Sequence, residues 1–402
     1  MKKIYLGVAF LCLSVLCVFA QTDSTNSSSY KSRKLKIDEV NIVSSYYHQD
    51  GNNSAVTGGI GTEKLSDFAN TFDLVLSKYD KLNRLHTFDF EFGVDHYTSA
   101  SSDKIDPNTI SSASAADTRI YPSANWTLKD DKKNFSFGAG ASFSQEYDYT
   151  SIGGNVNFSK FSKDNNREFG IKLMAFLDSW QVIYPIELRL GLNAGNEDDG
   201  GSGNYKPRNS YNASFSLSQI INTRLQLSLL LDLAYQKGQL GTLYQRVYFR
   251  DNSVHAENLP QSRFKIPIGF RLNYFAGDRF VVRSLYRFYK DDWGINAQSI
   301  ELETPYKITP FFSLSPFYRF YTQTAAKQFA GFQAHVSQDN FYTSDYDLSK
   351  FTSQYAGLNL RFTSVNGILG MKKLNTFELR YGHYYRSNGL NSNNITLALK
   401  IK

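Results

Sequence analysis

The stretch LHTFDFEFGVDHY, residues 85–97, alternates between apolar and polar side chains. One parity carries three phenylalanines and a valine, and the other carries a threonine, two aspartates, a glutamate and a glycine. A period of two places alternate side chains on opposite faces of a β-strand. The strand therefore belongs either to a soluble sheet with its rings inside, or to a membrane barrel with its rings toward lipid and its acids toward the lumen.

Long alternating runs recur along the chain, for example at 223–236, 262–275 and 395–402. Soluble strands average about 5 or 6 residues, whereas tilted membrane strands need about 9 to 11 plus protruding ends. These runs favour the membrane barrel. They predict lipid-facing side chains at Phe88, Phe90, Phe92, Leu227, Leu229, Leu231, Ile266, Ile268, Leu397 and Leu399.

The connections between runs fall into two classes that alternate along the chain. Short polar turns occur at 79–83, 129–133, 163–166, 221–223, 276–278, 305–309 and 365–373. Longer loops occur at 49–62, 99–117, 179–208, 237–261 and 323–349, with tighter ones near 148, 291 and 388. A sandwich or jelly roll has no reason to segregate its loops in this way. The pattern predicts an all-β, antiparallel up-and-down transmembrane barrel of about 16 strands (range 14–18), with periplasmic turns and extracellular loops.

The first residues, MKKIYLGVAFLCLSVLCVFAQ, have the basic start, apolar run and small-residue end of a secretory signal. We expect a signal peptide at 1–20 with cleavage after Ala20, a flexible polar tail at 21–34 and a barrel at 35–402. Cys12 and Cys17 both lie in the signal, so the mature chain has no cysteine for disulfides or thiolate chemistry. The expected location is the cell outer membrane.

Charge and spacing argue against several other classes of function. The chain has 44 basic and 37 acidic residues, but no run of Lys or Arg exceeds two, so we expect no nucleic-acid partner. The six histidines show no zinc spacing. The loop NEDDGGSGN at 196–204 lacks the spacing of a calcium hand, which favours a solvated turn. We therefore predict neither a metal nor a cofactor.

A transmembrane barrel implies lipid and the barrel-insertion machinery as partners, and aromatic girdles at both interfaces. Tyrosines near predicted strand ends suit such girdles: Tyr97, Tyr121, Tyr147, Tyr289, Tyr321 and Tyr385.

Three segments resemble a known family: SSYYHQDGNNSAVTGGIGTEKLSD (44–67), DHYTSASSDKIDPNTISSASAADTRIYP (95–122) and the Asn- and Ser-rich final hairpin. They are similar to an uncharacterised family of Gram-negative outer-membrane β-barrels known only as a domain of unknown function. The resemblance implies the fold and the location and supplies no catalytic residue. The chain departs from many such barrels in ending with Lys402 instead of Phe, which bears on its recognition by the insertion machinery.

Charged residues at the inward parity predict the character of the lumen. They are Asp89, Glu91 and Asp95 on strand 3, and Arg271, Arg283, Arg287, Glu301, Glu303, Arg319, Arg361 and Arg380 on strands 10 to 15. In a 16-strand barrel, strand 3 faces strand 11, so an acidic wall opposite an arginine wall would set a field across a pore for small polar solutes. Alternatively, glutamates pair with the arginines across neighbouring strands and fill the interior.

The leading interpretation is a passive channel or solute-uptake pore with a charged lumen. The alternative is a non-conducting structural, assembly or surface-display barrel that docks a partner through its loops. A hydrolase at the outer rim, built from Asp95-His96 with His48, Asp50 and Ser54, ranks third, because adjacent strand residues point to opposite faces and no Gly-flanked serine elbow occurs. We assign no catalytic residue and expect a non-enzyme.

Overall fold

The computed structural model of the 402-residue chain describes residues 33–98, 116–188, 205–368 and 370–402. The predicted signal, nearly all of the predicted tail and the candidate calcium loop at 196–204 lie outside the described residues. No helix within those ranges is long and apolar enough to span a membrane.

Sixteen long strands form the barrel wall. They are β1 (Lys36–Asp50), β2 (Leu65–Tyr79), β3 (Leu85–Tyr97), β4 (Asp117–Asp130), β5 (Phe135–Gln145), β6 (Tyr149–Phe161), β7 (Arg167–Gln181), β8 (Tyr205–Asn222), β9 (Leu225–Gly238), β12 (Ser262–Phe275), β13 (Val281–Asp291), β14 (Asn296–Glu303), β16 (Phe312–Gln323), β17 (Phe351–Thr363), β18 (Leu374–Arg386) and β19 (Asn391–Ile401). Short strands β10 (Arg246–Tyr248) and β11 (Val254–Ala256) form a loop hairpin, and β15 (Tyr306–Lys307) extends the sheet. Three 3-10 helices lie at Ala55–Thr57, Ile186–Leu188 and Tyr346–Leu348.

Each wall strand pairs antiparallel with the next, and β19 pairs with β1 to close the sheet. In the closing pair, Val40 lies opposite Ile401 and Asp50 opposite Asn391, so the pairing runs through nearly the whole of both strands. The structure confirms the predicted closed antiparallel barrel of sixteen strands. A closed sheet leaves no unpaired edge, which is what a strand-built structure needs in lipid.

The pairing register assigns every wall residue to the outer or the lumen face. On β3, Phe90 and Phe92 point outward and are 43% and 41% exposed, while Asp89 and Glu91 point inward. Leu229 and Ile268, 53% and 47% exposed, share the outer face. The predicted outward parity of the apolar residues is confirmed, and it gives the outer surface of a transmembrane barrel.

The prediction of tyrosine girdles is wrong for four of the six residues. Tyr97, Tyr121, Tyr289 and Tyr321 have the lumen parity of their strands, and their hydroxyls donate to polar side chains there. Tyr385 and the turn residue Tyr147 are exposed as predicted, at 47% and 59%. Nearness to a strand end gives the height of a residue in the barrel but not its face.

The two ends of the barrel differ as predicted. Short turns at one end hold asparagines in the left-handed conformation, with φ of 60° at Asn83, 51° at Asn134 and 56° at Asn165. Asparagine tolerates this conformation better than other non-glycine residues, which explains its place in these turns. Both ends of the barrel sheet, at Lys36 and Ile401, lie at this short-turn end.

At the opposite end, three loops pack together into what we name the outer cap: residues 51–64, 239–261 and 324–350. An apolar cluster of Leu240, Leu259, Trp293, Ile295, Ala297 and Ala326 fixes two of these loops to the wall. The backbones of Asn258 and Tyr342 exchange hydrogen bonds of 3.1 and 2.8 Å, which join the same two loops directly. The outer cap is therefore a packed unit.

Candidate functional site

The lumen is the candidate site, and six arginines form one side of it. We name them the arginine wall: Arg271 on β12, Arg283 and Arg287 on β13, Arg319 on β16, Arg361 on β17 and Arg380 on β18. The pairing register places all six on the lumen face. The side chains of Arg283 and Arg361 are 56% and 50% exposed, so solvent reaches this part of the interior.

Glutamates on the same wall pair with only half of these arginines. Glu303 lies 3.1 Å from Nη1 of Arg283 and 3.6 Å from Nη1 of Arg380, and Glu378 lies 3.1 Å from Nε of Arg361.

The other three arginines form no ion pair with any carboxylate in the part of the chain that the structure describes. The guanidinium of Arg319 instead lies 5.2 Å from the ring centroid of Tyr355, although Glu301 is directly opposite it in the register. The unpaired set is Arg271, Arg287 and Arg319. Pairing with glutamates therefore leaves the arginine wall with excess positive charge.

Carboxylates cluster on the strands β2 and β3. Asp73 of β2 lies directly opposite Glu91 in the register, and Asp89 is two residues from Glu91 on the same face. Asn41 donates to Asp73 at 2.7 Å, and Tyr121 donates to Asp95 at 2.8 Å. These contacts orient two of the acids without supplying a cation. We name Asp73, Asp89, Glu91 and Asp95 the acidic wall.

The two walls face each other across the lumen. β3 is the third strand around the barrel and β13 is the eleventh of sixteen, so seven strands lie between them in either direction. The acids of β3 and the arginines of β13 are thus diametrically opposed. In an aqueous lumen bounded by a low-dielectric wall, this arrangement produces a transverse electric field.

The remaining lumen surface, on β4 to β9, consists mainly of small polar residues. In its outer half lies a cavity of about 560 Å³, which we name the upper pocket. Arg119, Arg208, Glu91 and Asp178 supply charge around it, and Tyr121, Tyr149 and Phe176 supply rings. Its volume is within the roughly 300 to 1,000 Å³ typical of small-molecule sites.

Three carboxylates meet at the rim above this pocket, and the sequence analysis missed them. Oxygens of Asp117, Glu146 and Asp148 lie within 4.8 Å of one another. Tyr97 donates to Glu146 at 2.8 Å, and Trp180 donates to Asp148 at 3.2 Å. Burial raises the pKa of both Glu146 and Asp148.

Calcium prefers oxygen ligands of this kind, but each rim carboxylate already has a protein donor. Asp117 accepts from the backbone N–H groups of Thr118, at 2.6 Å, and of Tyr147, at 3.2 Å. The sequence EYD at 146–148 could have indicated this cluster. It forms a tight turn after β5, and the turn places its two acids beside Asp117, the first residue of β4.

The residues of the candidate hydrolase are not brought together. Asp95 faces the lumen and accepts from Tyr121, whereas His96 faces outward and its Nδ1 lies 2.9 Å from the hydroxyl of Thr118. His48 lies 2.9 Å from the hydroxyl of Ser66. Among the described residues, no acid of this set is hydrogen-bonded to a histidine that is in turn hydrogen-bonded to a serine of the set, so these residues form no catalytic triad.

The outer cap reaches across the mouth of the barrel. Residues 51–64 connect the first two wall strands and residues 239–261 connect the ninth and tenth, which are on opposite sides. Even so, Nη1 of Arg246 donates to the backbone oxygen of Val56 at 3.0 Å. Arg246 is buried and also forms an ion pair with Glu187. The two loops therefore meet over the lumen and narrow its outer opening.

Two carboxylates lie inside the outer cap: Glu257 is buried and Asp345 is half-buried. Glu257 accepts from the hydroxyl of Thr343 and from the backbone N–H of Thr242, which is 2.6 Å away. Burial raises the pKa of Glu257 to about 7 and raises the pKa of Asp345 well above its usual range. The cap therefore contains groups whose charge changes with pH.

Comparison with protein families gives one match: a model described as a protein of unknown function (DUF3570) matches residues 83–396. The chain belongs to the DUF3570 family. This confirms the resemblance to an uncharacterised family of barrels. A comparison with curated protein sequences gives no match.

Among solved structures, this DUF3570 protein is similar to OccD3 (OpdP) of Pseudomonas aeruginosa, with 10% identity, a TM-score of 0.44 and coverage of 93% of each chain. It is similar to OccK1 (OpdK) of the same organism, with 9% identity, a TM-score of 0.43 and coverage of 92% of this chain and 99% of that one. It is also similar to a BenF-like porin of Pseudomonas fluorescens Pf-5, with 8% identity, a TM-score of 0.43 and coverage of 90% and 98%.

Proposed function

We propose that this protein is a passive outer-membrane channel for small polar solutes, with a lumen that is acidic on one side and basic on the other. One observation carries the proposal. The acidic residues of β3 lie across the lumen from the arginines of β13, and not all of the arginines in the arginine wall are paired with glutamates. Polar walls with solvent-exposed charges suit an aqueous path. A barrel that is apolar on its outer face suits the outer membrane.

The partial pairing of the arginines supports a pore over a filled interior. A filled interior would require buried charges to be paired, because an unpaired buried charge is costly. Arg287 has no partner among the described carboxylates, and Arg283 remains 56% exposed even though it is paired. These are properties of side chains that water solvates.

A non-conducting barrel that presents its loops to a partner is the second candidate, and the outer cap favours it. The cap crosses the mouth through buried contacts such as that between Arg246 and Val56. A rigid, closed cap would prevent conduction and leave a surface for display.

Conductance separates the two candidates. The full mature protein is reconstituted in planar bilayers, and single-channel current is recorded in KCl. The same measurement is made on a variant that lacks residues 333–339, a segment through which two cap loops contact each other at His335 and Arg250. The channel proposal expects discrete steps of current in the parent protein. Absence of current in both proteins, with the heat-modifiable migration of a folded barrel retained, would support the display barrel.

A further inference from the structure

We infer that the upper pocket binds a neutral carbohydrate of one or two sugar units as it passes through the lumen. The inference depends on the proposed channel for the route by which the sugar arrives, but the binding itself can be measured without conduction. It rests on three features of the pocket: balanced charge, free hydrogen-bonding groups and two rings that lie flat on the wall.

The charges of the upper pocket balance. Among the lining residues, Arg119 and Arg208 offset Glu91 and Asp178, so the lining itself has no net formal charge, and Arg119 also lies 3.5 Å from Glu146 at the rim. A carboxylate accepts and a guanidinium donates in pairs, and adjacent sugar hydroxyls match both patterns. A neutral polyhydroxylated solute therefore fits this pocket better than an anion or a cation does.

Several of these groups keep hydrogen-bonding capacity within the described residues. The side chains of Glu91 and Arg208 have no hydrogen-bond or ion-pair partner among the described residues, and the guanidinium of Arg208 lies 5.4 Å from the ring of Trp180. Arg119 uses only its Nε, which donates to Ser144 at 3.0 Å and lies 3.5 Å from Glu146. The terminal nitrogens of both arginines are thus available to a solute.

Two aromatic rings lie flat against the wall of the pocket. A Cβ added at Gly153 would lie 2.8 Å from two carbons of Phe176, and one added at Gly93 would lie 2.0 Å from Tyr121. Each ring therefore covers a glycine of the neighbouring strand, and both rings line the cavity. The guanidinium of Arg119 lies 5.0 Å from the ring centroid of Tyr121, so Phe176 is the ring without a cation over it. The apolar C–H face of a sugar packs on such a ring, and the burial is favourable.

Binding is tested with the refolded full-length mature protein and maltose, a neutral disaccharide. The ring of Trp180 lies outside the pocket but 5.4 Å from the guanidinium of Arg208, which lines it, so Trp180 fluorescence reports binding at Arg208 even if the barrel does not conduct. We expect saturable fluorescence changes with maltose, and a matching partial block of single-channel current. Trp180→Phe should remove the fluorescence change and leave the block in place.

Two variants and one control locate the site. Phe176→Ala removes a ring and Arg208→Gln removes a charge; each should raise the half-saturating maltose concentration about tenfold. Ser159→Ala, on the lumen face of β6 but outside the pocket, should not change it. Retained heat-modifiable migration shows that each variant is folded.

The possible failures are distinguishable. Current without any effect of maltose would overturn the carbohydrate site and leave the channel standing. Block by gluconate or glycylglycine but not by maltose would overturn it in favour of a charged solute. Fluorescence changes without current would support the site and contradict the channel.

Discussion

Arg283 and Glu303 face each other across β13 and β14, with Nη1 and Oε1 3.1 Å apart, and cancel each other's charge in the lumen. Four residues further along the same face of β13, Arg287 lies opposite Ser299 and has no such partner among the described residues. The wall therefore contains paired and unpaired arginines side by side. This difference allows the field to be tested without changing the shape of the barrel.

Replacing Arg287 by Gln should shift the reversal potential toward cations. A unit charge about 8 Å from a passing ion changes the energy of that ion by about 0.5 kcal/mol in water. This energy corresponds to about a twofold change in the ratio of cation to anion permeability. The double variant Arg283→Gln/Glu303→Gln removes one charge of each sign and should shift the potential much less. Equal shifts in the two proteins would show that local pairing does not shape the field.

The acidic wall should act with the opposite sign. Replacing Asp89 and Glu91 together by Ser removes two negative charges from the side facing β13, so the reversal potential should move toward anions. The measurement is made in the same salt gradient as for Arg287→Gln. An unchanged reversal potential would mean that these carboxylates are not ionised along the conducting path and would contradict the prediction.

The outer face of β9 should not tolerate charge. Leu229 is 53% exposed on that face, and Leu229→Arg should cost roughly 2 to 4 kcal/mol of unfolding free energy if it lies near the bilayer midplane. The matched control is Leu230→Arg, at the same depth but on the lumen face, where the guanidinium can reach water. Chemical unfolding in lipid vesicles measures both, and equal losses would show that the faces are misassigned.

The outer cap should loosen as the pH rises. The pKa of Glu257 is about 7 in the folded cap and its ordinary value is 4.5, so the folded state binds more protons between these values. The stability that depends on the neutral acid is complete below about pH 4.5 and is lost as the pH rises through 7. The raised pKa of Asp345 acts in the same direction.

Limited proteolysis of residues 239–261 and 324–350 should therefore be faster at pH 8 than at pH 5.5, after correction for the activity of the protease. Glu257→Gln keeps a neutral side chain at both pH values and should reduce the difference. Asp251→Asn, at an exposed carboxylate in the same loop, is the control and should preserve it. Slower cleavage at pH 8 in the parent protein would contradict the burial of these acids.

The mature protein should begin at Gln21 and fractionate with the outer membrane. Intact mass spectrometry determines the first residue, and the separation of inner from outer membrane determines the location. Recovery in the soluble periplasmic fraction would contradict a barrel with the outward apolar surface described for β3, β9 and β12.

The alternation of side chains was enough to predict the closed barrel and its outward residues, because the period of two is local and each wall strand is long. The same rule places Tyr97 on the lumen face, since it shares the parity of Asp89 and Glu91. The girdle prediction failed because it used height along the strand and left parity out.

Contacts between segments that are distant in the chain could not be predicted from the sequence. The ion pair of Arg246 with Glu187 and that of Arg386 with Asp347 join segments that are far apart in the chain, and their separation in space depends on barrel closure and strand tilt. No local pattern encodes either pair. The narrowing of the mouth by the outer cap could therefore be found only once the strands were placed.

The most direct test of the charged channel is the current through the refolded mature protein in a planar bilayer under a KCl gradient, compared with that of Arg287→Gln. The account predicts discrete conductance steps in both proteins and a reversal potential shifted toward cations in the variant. No current from a correctly folded barrel, or current with a reversal potential that does not respond to Arg287→Gln, would contradict it.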